Sequence, residues 1–329
     1  MLFLVVVGLL VYGFVPAANA TVSGVCSNCH TMHYSQNGTT PAGASGGPNG
    51  HLTLSSCLGC HGASGSTVGG APNIFGTATI TAGGTFNTAT ASTMAKRHDV
   101  TDVFAGGDTT YGANGTPGNS GSLITLNPNQ LNCAGTTGCH GDHTAGKTTS
   151  DAGIKGFHHS KTAGYRYLQT SAGTAITGLK SSDWEATVSA TNHNVYSADT
   201  NNGISRLCAQ CHGAFHGTGT GTGDTAIWNG SAWIRHPVEM GFGGLTGGTA
   251  SIAADYVNTP FGFANADFAT VTPTSAYTAT SGSGAQVVCV SCHRAHGSAN
   301  DDILRFAYST QIAGGGGSTG CLNCHVNQR

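Results

Sequence analysis

Charged side chains are scarce in this chain. Twelve Lys and Arg stand against fourteen Asp and Glu among 329 residues, for a net charge of −2. So few cations leave no basic surface to neutralise a phosphate backbone, and no nucleic-acid partner is indicated. Aromatic residues make up only 7%, and glycine, at 52 residues, crowds out the large apolar side chains of an ordinary core. On composition alone the chain is loop-rich and weakly folding, so something other than aliphatic side chains must fill its interior. Long apolar runs are missing too, with one exception. Leu2 to Val15 is apolar but too short and wrongly flanked for a membrane span, and Ala18-Asn19-Ala20 follows as a small-residue cleavage site. The basic start of such a leader is also absent, since no Lys or Arg precedes Lys96. The expectation is a signal peptide over residues 1–20 and an exported mature chain over 21–329 that has no membrane span.

What is abundant is cysteine and histidine, twelve and sixteen. Five cysteine pairs share one form: Cys26-Ser-Asn-Cys29-His30, Cys57-Leu-Gly-Cys60-His61, Cys208-Ala-Gln-Cys211-His212, Cys289-Val-Ser-Cys292-His293 and Cys321-Leu-Asn-Cys324-His325. This is the haem c attachment spacing. Two thiols form thioethers to the haem vinyl groups, and the following imidazole is placed to ligate the iron as proximal ligand. Cys133 and Cys139, followed by His140, form a stretched C-x5-C-H version. It reads as a sixth haem site with a longer loop between its thiols; the alternative is a local disulfide, which an exported protein permits and which would leave five haems. Zinc is the rival for the whole set, but tetrahedral zinc sites do not require a histidine after every second cysteine.

Bis-His ligation of six haems needs twelve histidines. Proximal are His30, His61, His140, His212, His293 and His325. Beyond the leader only Met32, Met94 and Met240 are methionines, so Met/His ligation cannot be general. The distal candidates are His33, His98, one of His158 and His159, His193, His236 and His296, with His51, His143 and His216 in reserve. His33, His143, His216 and His296 follow a proximal histidine by three or four residues. On a short helix they lie on its side, badly placed for their own haem but able to reach a neighbour's. Six haems bring twelve carboxylates, for which Lys96, Arg97, Arg206, Arg235 and Arg294 are candidate partners.

The first cysteines fall at 26, 57, 133, 208, 289 and 321, so close pairs lie at both ends of the chain. Glycine- and threonine-rich stretches between them read as loops. The expected fold is mostly irregular, with short helices at the haem sites and few strands, one of them around Ser182 to Ser189. It is a single haem-cored multihaem cytochrome c domain spanning residues 21–329.

Cys26-Ser-Asn-Cys29-His30-Thr-Met-His33, Cys289-Val-Ser-Cys292-His293-Arg-Ala-His296-Gly with the following Ile303-Leu-Arg-Phe, Arg235-His236-Pro237 and the C-terminal Cys-His motif resemble the filament-forming surface cytochromes of metal-reducing bacteria. The C-x5-C-H site departs from that family, and the segment around Trp184 and Asn192-His193-Asn194-Val195-Tyr196 looks more like other multihaem surface cytochromes. The resemblance implies a homopolymer built head to tail, with His33 ligating the haem of His293 in a neighbouring subunit. It implies extracellular or cell-surface electron transfer to other redox partners, not enzymatic turnover. A monomeric periplasmic or surface shuttle is the alternative, and a multihaem reductase, which needs an open iron position, ranks third.

Overall fold

The computed structural model describes residues 25–35, 38–40, 47–62, 71–75, 81–86, 96–104, 122–124, 126–127, 129–160, 162–213, 238–241, 251–253, 255–280, 284–312 and 319–325. The leader expected over 1–20, His216 and His236 lie outside these. Among the described residues no helix is long and apolar enough to cross a membrane.

Regular structure comes in very short pieces, as a glycine- and threonine-rich sequence dictates. The helices at the thiol pairs are single turns: Cys26–Asn28 (a 3-10 turn), Cys57–His61, Cys289–Cys292 and Cys321–Cys324, with Ile204–Cys208 ending on the first thiol of its pair. The stretched site is an exception to the expected helix. Cys133 and Cys139 sit on two strands, β1 (Asn132–Ala134) and β2 (Gly138–His140), which pair in parallel. Three residues, Gly135 to Thr137, join the strands, and the five residues between the two thiols are too many for the single helical turn of the regular sites.

The remaining strands are β3 (Gly178–Leu179), β4 (Val195–Ser197), β5 (Met240–Gly241), β6 (Ser251–Ala253), β7 (Gly262–Phe263), β8 (Thr278–Thr280) and β9 (Ala285–Val287). Five of them form one sheet in the order β3-β4-β7-β9-β5, antiparallel except for the parallel β4/β7 pair; β6 and β8 form a separate antiparallel pair. The strand expected around Ser182 to Ser189 is not among them: residues 182–185 form turns, because Asn192 folds back to bond Ser182 and Asp183 through its side chain.

The sheet carries a side-chain core that composition did not announce. Val195, Val238, Phe261, Phe263, Ala285 and Val287 are buried together on it, and Tyr277, Cys289 and Cys324 pack against them. A second cluster joins Tyr165, Leu168, Ile176, Tyr196, Ala198, Ile204, Val288 and Val290. Each strand contributes only one or two inward residues, so few apolar side chains suffice where they converge on one sheet. Cys289 and Cys324 in the first cluster tie the last two thiol pairs to this core.

Candidate metal centres

One helical turn sets each regular site. The amide of the motif histidine donates to the carbonyl of the first cysteine, at 2.8 Å for His30 and Cys26, 2.9 Å for His212 and Cys208, 3.0 Å for His293 and Cys289, and 2.8 Å for His325 and Cys321. Both thiols and the imidazole are thereby gathered on one short segment, the arrangement thioether attachment with a proximal ligand requires.

A second device, built from backbone, holds three motif histidines, one of them at the stretched site. At the first site His51 and Leu52 are both left-handed, with φ 57° and 59°. The His51 carbonyl faces His30 Nδ1 at 3.2 Å, and the Leu52 carbonyl accepts the Thr31 amide at 2.7 Å. At the third site Arg166 and Tyr167 (φ 53° and 61°) do the same: Arg166 O faces His140 Nδ1 at 2.9 Å and Tyr167 O accepts from Gly141 at 2.7 Å. At the fifth, Asp302 and Ile303 (φ 56° and 57°) repeat it, with 2.7 Å to His293 Nδ1 and 2.9 Å to the Arg294 amide. The next residue in each case, Thr53, Leu168 or Leu304, bridges the histidine itself. Left-handed backbone costs an L-residue about 1–2 kcal/mol, so this thrice-repeated seat is over-determined by its surroundings.

Its chemical effect is to choose the tautomer. A ring nitrogen beside a carbonyl must be the donor, so Nδ1 carries the hydrogen and Nε2 presents its lone pair. His61 is held likewise by Pro72 O at 3.1 Å, and among the distal candidates His98 by Ala295 O at 2.7 Å and His296 by Gly84 O at 3.4 Å. Burial lowers the pKa of His61 and His140, takes His158 to about 4 and His296 to about 3. All four are neutral near pH 7, the form that binds a metal.

Four motif histidines face a second imidazole. Ring centres lie 6.1 Å apart for His30 and His159, 6.4 Å for His61 and His158, 6.3 Å for His140 and His296, and 6.3 Å for His212 and His98. Two nitrogen–metal bonds of about 2.0 Å, plus about 1.15 Å from each nitrogen to its ring centre, put the centres about 6.3 Å apart. These four spacings fit one metal between two imidazoles. His158 and His159 thus face different motif histidines, where a single ligand from the pair was expected. His296 faces the third site, three residues after the proximal histidine of the fifth. Phe86 stacks on it at 4.9 Å.

The third site shares both features with its regular neighbours, and its thiols are free. The disulfide alternative for Cys133 and Cys139 is therefore not what the structure shows. Among the described residues no three His, Cys, Asp or Glu side chains converge as a protein-only metal site would need.

Other candidates fall elsewhere. His193, a distal candidate, faces no motif histidine among the described residues: it is 1% exposed, stacks on Tyr256 at 4.2 Å, and directs its nitrogens at Asn194 O and Ser275 O, both at 3.0 Å. It is a core histidine behind the sheet. His51 turns Nε2 to Asp151 O at 2.9 Å and lends its carbonyl to His30. His143 is buried close to Cys139 and His140. His33 and His293 are exposed, and among the described residues no imidazole faces His293; His325 is half-buried. The expected carboxylate partners are partly occupied. Arg97 pairs with Asp99 at 2.5 Å and lies 3.6 Å over Phe104, Lys96 reaches Asp301 at 3.7 Å, and Arg294 donates to Thr81 O and Ala82 O.

The sites run in chain order through space. Burial and then the thiol of Cys29 raise Cys60, linking first to second. The Cys133 thiol hydrogen-bonds Cys57, linking second to third. Cys211, pushed to about 12 by burial and then by Cys139, links third to fourth. Cys208 hydrogen-bonds Cys289, linking fourth to fifth. Cys292, pushed to about 12 by burial and then by Cys324, links fifth to sixth.

Recurrent thiol–thiol–histidine turns on a largely irregular chain, with imidazoles paired at a metal-spanning distance, are the arrangement that a multihaem c-type cytochrome requires. Residues 282–329 match the family described as a doubled CXXCH motif. No curated protein matches the chain. Among solved structures the chain is similar in fold to the OmcS nanowires from Geobacter sulfurreducens, at 21% identity and a TM-score of 0.50 over 90% of this chain and 87% of that one. A second structure, the outer membrane cytochrome S filament from the same organism, aligns at 22% identity and a TM-score of 0.49 over 88% and 84%.

Proposed function

We propose that the chain is an exported electron carrier whose six C-H motifs hold haem c in one unbroken series. The observation that carries this reading is the set of four imidazole pairs spaced for a shared metal, on sites that adjoin in chain order. Cys26/Cys29, Cys57/Cys60, Cys133/Cys139, Cys208/Cys211, Cys289/Cys292 and Cys321/Cys324 would supply the thioethers. His30, His61, His140 and His212 would be proximal ligands opposite His159, His158, His296 and His98, with His293 and His325 proximal at the remaining two. Bound haem iron supplies a one-electron couple between ferric and ferrous states. The protein's part is to fix the imidazoles of His30, His61, His140, His293, His98 and His296 by their Nδ1 hydrogen bonds, keep both axial positions filled, and hold neighbouring sites adjacent. Filled axial positions favour electron transfer over substrate chemistry, which puts a reductase last.

The chain also offers an exposed imidazole, His33, and an exposed motif histidine, His293, with no imidazole facing it among the described residues. This supports a homopolymer in which His33 of one subunit ligates at His293 of the next, a head-to-tail contact that extends without closing. The cell exterior is the place where such a polymer would pass electrons to other redox partners.

The test is the haem-loaded protein recovered from the medium or sheared from cells. Six haems per chain by intact mass, no carbon monoxide adduct in the reduced polymer, and filaments lost on His33→Ala with the haem count kept are expected. Carbon monoxide binding in the polymer would favour a reductase. Discrete particles at every concentration would favour the soluble shuttle.

A further inference from the structure

His33 stands on a short loop whose ends are both fixed. Thr31, at its start, is 5% exposed; its amide donates to Leu52 O at 2.7 Å and its hydroxyl to Ser35 O at 3.2 Å, closing the loop on itself. Tyr34 within it is left-handed, with φ 57°, a conformation that bulky residues adopt only where their surroundings impose it. The cause lies at Gly47. A Cβ added there would be 2.4 Å from Tyr34 Cδ2 and nearer still to Cε2, so the phenol ring rests directly on bare glycine backbone. With Tyr34 turned inward, Met32 and His33 are turned outward: Met32 is 73% exposed and His33 is exposed. Val25 and Leu52, beside the same site, are exposed as well.

We propose that residues 31–35 are a preformed docking arm for a second copy of this chain, in which Tyr34 and Gly47 are positioning residues that hold Met32 and His33 outward. This rests on the reading that His33 reaches the site of His293 in that copy. The same chain carries the matching half. His293 is exposed with its Nδ1 already committed to Asp302 O, and the exposed apolar side chains Tyr308 and Ile312 follow its seat. An exposed imidazole therefore meets an exposed motif histidine lacking a facing imidazole among the described residues, and each has exposed apolar side chains on its own stretch of chain. A loop ordered before contact loses little conformational freedom on docking, so the packing of Tyr34 on Gly47 should lower the concentration at which chains join.

The experiment uses the haem-loaded chain and measures the concentration at which half the material sediments as polymer. Haem count per chain and thermal midpoint are recorded for every variant. Gly47→Ala, which displaces the ring, and Tyr34→Ala, which removes it, are each expected to raise that concentration about tenfold or more. Tyr34→Phe keeps the ring and is expected to match the parent. Below the threshold, electron paramagnetic resonance should show one more site per chain without a second imidazole than the polymer does, and that extra signal should persist to higher concentration in the two weakened variants. Parent-like assembly of Gly47→Ala and Tyr34→Ala, with His33→Ala still unable to polymerise, would overturn the arm and leave the His33 reading standing. Parent-like assembly of His33→Ala would overturn that reading and the arm with it. Tyr34→Phe as weak as Tyr34→Ala would also overturn the arm, since ring packing would not be the cause.

Discussion

At the fifth site Cys289–Cys292 is one helical turn, and His293 follows by a 3.0 Å backbone bond to Cys289. At the third site the thiols are on two parallel strands, and the extra residues make a loop. Upstream of the histidine the two share nothing. Downstream they are nearly superimposable in their bonding: a left-handed pair gives one carbonyl to Nδ1 and the next to the following amide, and a leucine bridges the histidine. The spacing of thiols can therefore change while the histidine seat is kept, because the seat is made of backbone and does not depend on how the thiols arrive.

Cys139→Ala is the most direct way to break the likeness. The haem count should fall by one, as it should for Cys292→Ala, and intact mass reads both. A full count in Cys139→Ala alone would mean that the third site holds its histidine in a haem-like seat without a haem. Support for the two sites differs more. The fifth leans on the sheet, since Ser291 donates to Pro260 O beside the fully buried Phe261. Phe261→Ala should cost about 3–5 kcal/mol of stability and loosen the fifth site first. The third leans on one carboxylate: Asp102 accepts from the Cys133 amide and the Ser150 hydroxyl, both at 2.8 Å. Asp102→Ala should cost only about 1–2 kcal/mol and loosen the third site alone. Denaturation followed in the haem band, with order of haem loss read by mass, separates the two; equal loss from both sites would refute the division of support.

How much of this was legible depends on what carries it. Thiol spacing and the trailing histidine are side-chain identities, so the six cysteine–histidine motifs could be read directly. The pairing of imidazoles was half legible. His98 and His296 face motif histidines as expected, and His158 and His159 both do. His193 carries the same residue type in a similar loop, yet it is spent on the Tyr256 stack. Nothing in Asn-His-Asn distinguishes a ligand from a core histidine until the neighbouring carbonyls are placed. The seats were illegible because His-Leu, Arg-Tyr and Asp-Ile share no chemistry, only a backbone conformation forced by long-range contacts. The sheet was illegible because strands of two or three residues leave no period to detect, although Phe261, Gly262 and Phe263 do put two aromatic residues on one stretch of it.

The smallest expected effect gives the sharpest comparison of the two seats. Asp302 is exposed and left-handed, and only its carbonyl serves the fifth site. Asp302→Gly keeps that carbonyl and removes the conformational penalty, so the protein should gain about 0.5–1 kcal/mol. Arg166 occupies the equivalent position at the third site, but its side chain is engaged as well. The guanidinium lies 4.4 Å over Trp184 and donates to Asn194 at 3.0 Å. Arg166→Gly should gain the same relief and lose both contacts, for a net loss of about 1–2 kcal/mol. Opposite signs in paired denaturation curves are expected. Two gains would mean that the stack on Trp184 contributes nothing; two losses would mean that the left-handed pair is not strained, and that the seat is held by its own local preference and not by its surroundings.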